Sequence, residues 1–194
     1  MNKFSKSEIV SIFIIFFVLV AISVPNFIIS LRRARDQVRK DDMGALSKVF
    51  EQYLADFQSY PMASPDGKIL ACKKPEDIVE VDKMGKLIVN FIPCEWGRDS
   101  IADLTPESSK VYMPILPRDP DYQKGALYRY FSDGQRFQIF VSLEGKDEVE
   151  YDPKIIARNL MCGTAICDAG RDSGCSTDKT LEQCEIEANQ KTNK

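Results

Sequence analysis

The chain has 194 residues, a formal charge of −3 and no histidine. Mild acidity excludes the basic field with which a nucleic-acid binder meets phosphates, and the missing histidine removes Ser-His-Asp and Cys-His catalysis and the commonest zinc ligand. The length allows an N-terminal span plus one domain of about 150 residues with a real core.

The first predicted element is a helix. From Ile9 to Leu31 no residue is charged, and only Ser11, Ser23, Asn26 and Ser30 are polar. At about 1.5 Å per residue the stretch makes a rod of roughly 34 Å, enough to cross the hydrocarbon of a bilayer. Glu8 stands at its lip, where a carboxylate costs less than the roughly 2.5–3.5 kcal/mol it costs at mid-membrane. Pro25 cannot donate to the Ala21 carbonyl, so the helix can kink or loosen there. Arg32, Arg33, Arg35, Arg39 and Lys40 follow as a basic collar, with Asp36 the only acid among them. Such a collar suits lipid headgroups. It outweighs Lys3 and Lys6, so charge alone would place the C-terminus in the cytoplasm. The cysteines argue for the opposite side.

A second helical pattern continues without a break. Leu46, Val49, Phe50, Tyr53, Leu54 and Phe57 share one face, and Ser47, Lys48, Glu51, Gln52, Ala55 and Asp56 the other. Gly44 weakens this stretch by about 1 kcal/mol relative to alanine. Tyr60-Pro61 is the expected stop, because a residue before proline avoids the helical region. The result is one helix of about fifty residues, half apolar all round and half amphipathic.

From Met62 to Pro120 the pattern is irregular and reads as a long connection stapled by Cys72 and Cys94. A hairpin comes next, with runs over 126–131 and 136–143 joined by Ser132-Asp133-Gly134-Gln135. Phe137, Ile139, Val141 and Leu143 alternate onto one face, ready to meet the helix stripe. Glu144, Asp147, Glu148, Glu150 and Asp152 then crowd together. Oxygen-rich acidic loops suit Ca²⁺, which makes Glu144, Asp147 and Asp152 candidate ligands, although no EF-hand spacing is present and a solvated acidic turn is the plainer reading. Asp168-x-Gly170-x-Asp172-x-Gly174 is a weaker echo of a calcium loop. From Asn159 the chain is rich in cysteine, glycine and aspartate, and Thr180-x-x-Gln183 is a capping box for a short last helix.

All six cysteines (Cys72, Cys94, Cys162, Cys167, Cys175, Cys184) lie beyond the apolar stretch. An even count on one side of a span indicates disulfides in an oxidising compartment. The spacing 162-x4-167-x7-175-x8-184 lacks the tight C-x2-C knuckles of zinc sites. Six cysteines allow fifteen pairings, so the count leaves connectivity open.

Phe4, Glu8 and Pro25 stand four and seventeen residues apart in turn, and the helix they open ends near Tyr60-Pro61. Leu116-Pro117-Arg118-Asp119-Pro120 precedes Tyr128-Arg129-Tyr130 and Ser132-Asp133-Gly134-Gln135-Arg136-Phe137. In order and register these residues resemble the type IV pilins and type II secretion pseudopilins, over about residues 4 to 145. The resemblance implies an α+β fold, with a long N-terminal helix packed on a small antiparallel sheet. It implies a structural subunit without an active site, held in the inner membrane with its C-terminal domain outside. Such a subunit polymerises with copies of itself and other pseudopilins, served by a prepilin peptidase and a membrane platform with a cytoplasmic ATPase. It also implies cleavage between positions 3 and 4, N-methylation of Phe4, pairing of Glu8 with a neighbour's α-amino group, and loosening of the helix at Pro25. Calcium at the acidic loop is the only cofactor it suggests. Here Lys3 stands where the family has glycine, and Ser5, Lys6 and Ser7 replace apolar residues.

The expected organisation is a leader and span over 1–31, an amphipathic continuation over 32–60, a globular domain over 61–158 and a Cys-rich tail over 159–194. Two other classes compete. One is a secreted or anchored disulfide-stabilised binding domain. In the secreted case Lys3 and Lys6 precede an apolar Ile9–Val20 stretch, and Ala21-Ile22-Ser23 is a small-x-small site before Val24. The other is a membrane-tethered enzyme, for which no paired-acid or metal motif is legible.

Overall fold

The computed structural model describes residues 5–74, 76–77, 79–81, 87–106 and 108–192. One helix, α1 (Lys6–Phe57), runs for 52 residues through Pro25 and Gly44. Ser5 caps its start. The Ser5 hydroxyl accepts from the Glu8 N–H while the Glu8 carboxylate accepts from the Ser5 N–H at 2.7 Å. This reciprocal box satisfies two donors that a helix start leaves free. The helix ends just ahead of the expected Tyr60-Pro61 stop, where Gln58 turns left-handed (φ 57°) and returns its N–H to the Leu54 carbonyl at 2.8 Å.

Short strands come next. β1 (Met62–Ala63) pairs with β2 (Ile69–Cys72), β3 (Glu80–Val81) with β4 (Leu87–Ile88), and β5 (Ile92–Pro93) returns to the free edge of β2. β6 (Ile101–Ala102) and β7 (Val111–Met113) make a further ribbon. A 3₁₀ turn, Tyr122–Lys124, leads to β8 (Arg129–Ser132) and β9 (Phe137–Val141), the expected hairpin. The helix α2 (Pro153–Ala157), a β10 (Met161–Cys162) and β11 (Ala165–Ile166) ribbon, β12 (Ala169–Ser173) and α3 (Leu181–Thr192) complete the chain. All pairings are antiparallel, so the fold is α+β, with small antiparallel sheets on a long N-terminal helix.

The central strand of the principal sheet is β9, with β8 on one side and β12 on the other. Its residues are buried on both faces. Phe137, Ile139, Val141 and Leu143 join Met43, Leu46, Val49, Phe50 and Tyr53 of α1 in the main core, as the two periodicities require. Phe50 lies 4.8 Å from the Tyr130 ring and 5.0 Å edge-on to Phe137. Each such side chain stabilises the fold by roughly 1.5–3 kcal/mol of burial. On the far face, Phe140 packs with Ile155, Cys162 and Cys167 in a smaller core.

The segment from residue 159 onward is therefore no appendage, since it supplies an edge of the main sheet. Gly170 makes that possible: a Cβ there would meet Phe140 at 2.8 Å and the Ile139 carbonyl at 2.9 Å. Buried Gln138 anchors the turn between β12 and α3, donating to the carbonyls of Ser176 and Lys179 at 2.8 Å and accepting from Arg158 at 3.1 Å. Three disulfides staple the domain: Cys72–Cys94, Cys162–Cys167 and Cys175–Cys184. The first closes the irregular connection, as expected. Thr180 and Gln183 form the anticipated box before α3.

Candidate membrane helix and its ionic junction

Among the described residues the first half of α1 belongs to neither core. Every residue from 5 to 31 is exposed, including Phe17, Phe27 and Ile28. By length and composition this is the one helix among the described residues that can cross a membrane. Pro25 stays within the helix, which continues unbroken past the missing bond. Nearby polar side chains turn back onto the backbone. Asn26 Nδ2 donates to the Ile22 carbonyl at 3.2 Å, and Ser30 Oγ to the Asn26 carbonyl at 2.9 Å. Glu8 serves as the capping carboxylate of its own helix. Lys3 and Phe4, the expected processing pair, lie outside the described residues.

Where the helix reaches the domain its character changes within one turn. Arg32 and Arg33 both reach Asp147, at 2.6 and 3.4 Å. Arg35 grips Glu144 with two parallel bonds of 2.5 and 2.6 Å. Arg39 is 2% exposed. Its guanidinium donates to Asp36 at 2.8 Å, to both oxygens of Asp119 at 2.8 and 2.9 Å, to Asp121 at 3.0 Å and to Glu144 at 3.1 Å. Asp36, fully buried, also accepts the backbone N–H groups of Glu144 and Gly145 at 2.9 Å each. Lys40 completes the series on Glu148 at 2.8 Å.

The electrostatics reflect this geometry. Burial opposes the Arg39 charge, but the bonds and attraction of Asp119, with Glu144 and Asp36, hold its pKa well above the ordinary arginine value. Glu144 is held below the usual carboxylate range, first by Arg35 and then by Arg39. Asp147 is lowered by its own backbone N–H and by Arg32 and Arg33. Gly145 lets the loop lie this close, because a Cβ there would sit 3.1 Å from Arg32 Nη2 and 2.9 Å from Asp147 Oδ1.

Two sequence expectations meet here and change each other. The basic collar is not left free for headgroups. Each of its cations turns towards an acid of its own chain, although Arg33, 63% exposed, does so only at 3.4 Å. The proposed calcium ligands each have other partners: Glu144 faces Arg35 and Arg39, Asp147 faces Arg32 and Arg33, and Asp152 caps α2 by accepting from the Lys154 N–H at 2.9 Å. No group of three or more His, Cys, Asp or Glu side chains able to hold a metal occurs among the described residues. The second calcium-like echo is a strand instead of a loop. Its first residue, Asp168, accepts from the Leu143 N–H at 2.7 Å, and Gly170 and Asp172 pair across β9.

Sequence reasoning missed the Asp36–Arg39–Asp119 centre. The available signal was positional. Asp36 and Arg39 are three residues apart on the face that continues into Met43 and Leu46, where charged residues are unexpected unless paired. No family model, curated protein or solved structure matches this chain.

Proposed function

We propose that the chain is a structural subunit of a pilin-like filament, either a type II secretion pseudopilus or a type IV pilus, held in the inner membrane before assembly. The observation that carries this reading is the division of α1. Its exposed apolar half requires lipid or other helices around it, and its amphipathic half is locked into a disulfide-stapled head by buried Arg39. A chain built only to dock its head on a surface needs no such joint. The three disulfides support a head that folds in an oxidising compartment, which in this reading is periplasmic or extracellular. Partners in this reading are further copies, other pseudopilins, a prepilin peptidase and an inner-membrane platform.

A second reading is a single-pass or secreted binding domain, and the Ser5–Glu8 box favours it, because Glu8 already has a partner in its own chain. Mass spectrometry of the mature N-terminus, together with electron microscopy of membrane-extracted material, separates the two. A methylated Phe4 with filaments supports the subunit. A start at Val24, or an intact Met1 with no polymer, supports the second reading.

A further inference from the structure

Three of the four polar residues of the apolar half share a face, and Ser11 lies about 60° beyond its edge. At about 100° per residue, Ser23, Asn26 and Ser30 fall within roughly 60° of azimuth, with Glu8 five turns earlier on the same line. The buried face of α1, marked by Asp36, Arg39, Met43, Leu46, Phe50 and Tyr53, is centred roughly 180° away. The head therefore projects from one side of the rod, and the polar stripe runs down the other. Asn26 and Ser30 both lie beyond Pro25, so the proline does not disturb their alignment with the head.

Asn26 gives the stripe its preference. Its amide donates one N–H to the Ile22 carbonyl, and among the described residues its side-chain oxygen accepts nothing. In hydrocarbon an unused amide oxygen and N–H are costly. An identical amide across a two-fold axis supplies the missing donor and acceptor at once, because each Asn both gives and takes. Ser23 and Ser30 are small enough to let two backbones approach on either side of it. In such a pair both heads lie on the outside.

We infer that two copies of this chain pair in parallel within the membrane through the Ser23–Asn26–Ser30 face. The pairing rests on the membrane reading above but not on filament formation. All six cysteines are committed to disulfides, so one introduced cysteine is the sole free thiol. The test uses the full chain in phosphatidylcholine vesicles, with Ser23→Cys, Ser30→Cys, Phe17→Cys or Ile28→Cys, oxidised and run without reductant. Ser23→Cys and Ser30→Cys should give disulfide dimers, and Phe17→Cys and Ile28→Cys, on the head side of the rod, should not. Adding Asn26→Leu, which keeps the span apolar, should weaken pairing of Ser30→Cys about tenfold. Equal cross-linking at all four positions, or no effect of Asn26→Leu, overturns the inference. Filaments that form with no such face preference leave the filament reading standing without this one. Face-specific dimers in material that never polymerises do the reverse. Native chains that begin at Val24 overturn both.

Discussion

The two halves of α1 share one backbone ladder and differ in almost everything else. From 9 to 31 the helix is apolar on nearly every side and, among the described residues, adds nothing to either core. From 32 to 57 it carries charge on most turns, yet two of those charges, Asp36 and Arg39, are among its most buried groups. Hydrophobicity is thus no guide to burial along this rod. The apolar half is built for an environment outside the molecule, and the charged half makes its own. Four measurements test that contrast, and Trp96, the single tryptophan, reports on the head because it is buried edge-on against Tyr128 at 5.7 Å.

The largest effect is expected from Arg39→Met, which leaves Asp36 and Asp119 buried without their cation. Denaturant unfolding followed at Trp96 should show a loss of about 3–5 kcal/mol. A loss below 1 kcal/mol would mean that the junction is decorative and the contrast false. Next comes a matched pair of leucines. Leu46→Ala, in the core, should cost about 2–5 kcal/mol, and Leu19→Ala, in the exposed half, should leave the same transition where it was.

The third test is pH. Burial pushes the Asp168 carboxyl up to about 6. That lies above its unfolded value of about 3.9, so the folded state takes up this proton first and the contribution of Asp168 to stability rises as pH falls from 7 towards 4. Glu144 acts in the opposite sense. Its lowered carboxyl contributes stability that is present above about pH 4.3 and lost as acid protonates it. Asp168→Asn keeps an acceptor for the Leu143 N–H. It should raise stability at pH 7 by about 2 kcal/mol and remove the first limb of the pH profile, leaving the second. The smallest effect belongs to Arg33→Ala, whose exposed pair with Asp147 should contribute less than about 0.5 kcal/mol.

The features legible in the sequence were the local ones. The length of α1, the stripe from Leu46 to Phe57, the β8–β9 hairpin and the Thr180 box all come from spacings within a few residues. The junction could not be read that way, because Arg39 meets Asp119 across 80 residues and Arg32 meets Asp147 across 115. In the sequence Asp119, Glu144 and Asp147 each read as an ordinary charge, and only the fold brings them to the arginines of α1. Counting cysteines gave disulfides but not their pairing, and two of the three bonds join near neighbours, 5 and 9 residues apart. β12 was hidden for another reason. Ala169-Gly170-Arg171-Asp172-Ser173 has no strand-like alternation of its own, and it pairs because β9 offers an edge and Gly170 allows the approach.

The absence of a joint in α1 has a mechanical consequence. A helix of 52 residues is about 78 Å long, and Arg39 fixes it sideways to the head. The helix is unbroken between its two ends, so a twist applied to the apolar half is carried to the head. A step of one residue along the axis lifts the head by about 1.5 Å.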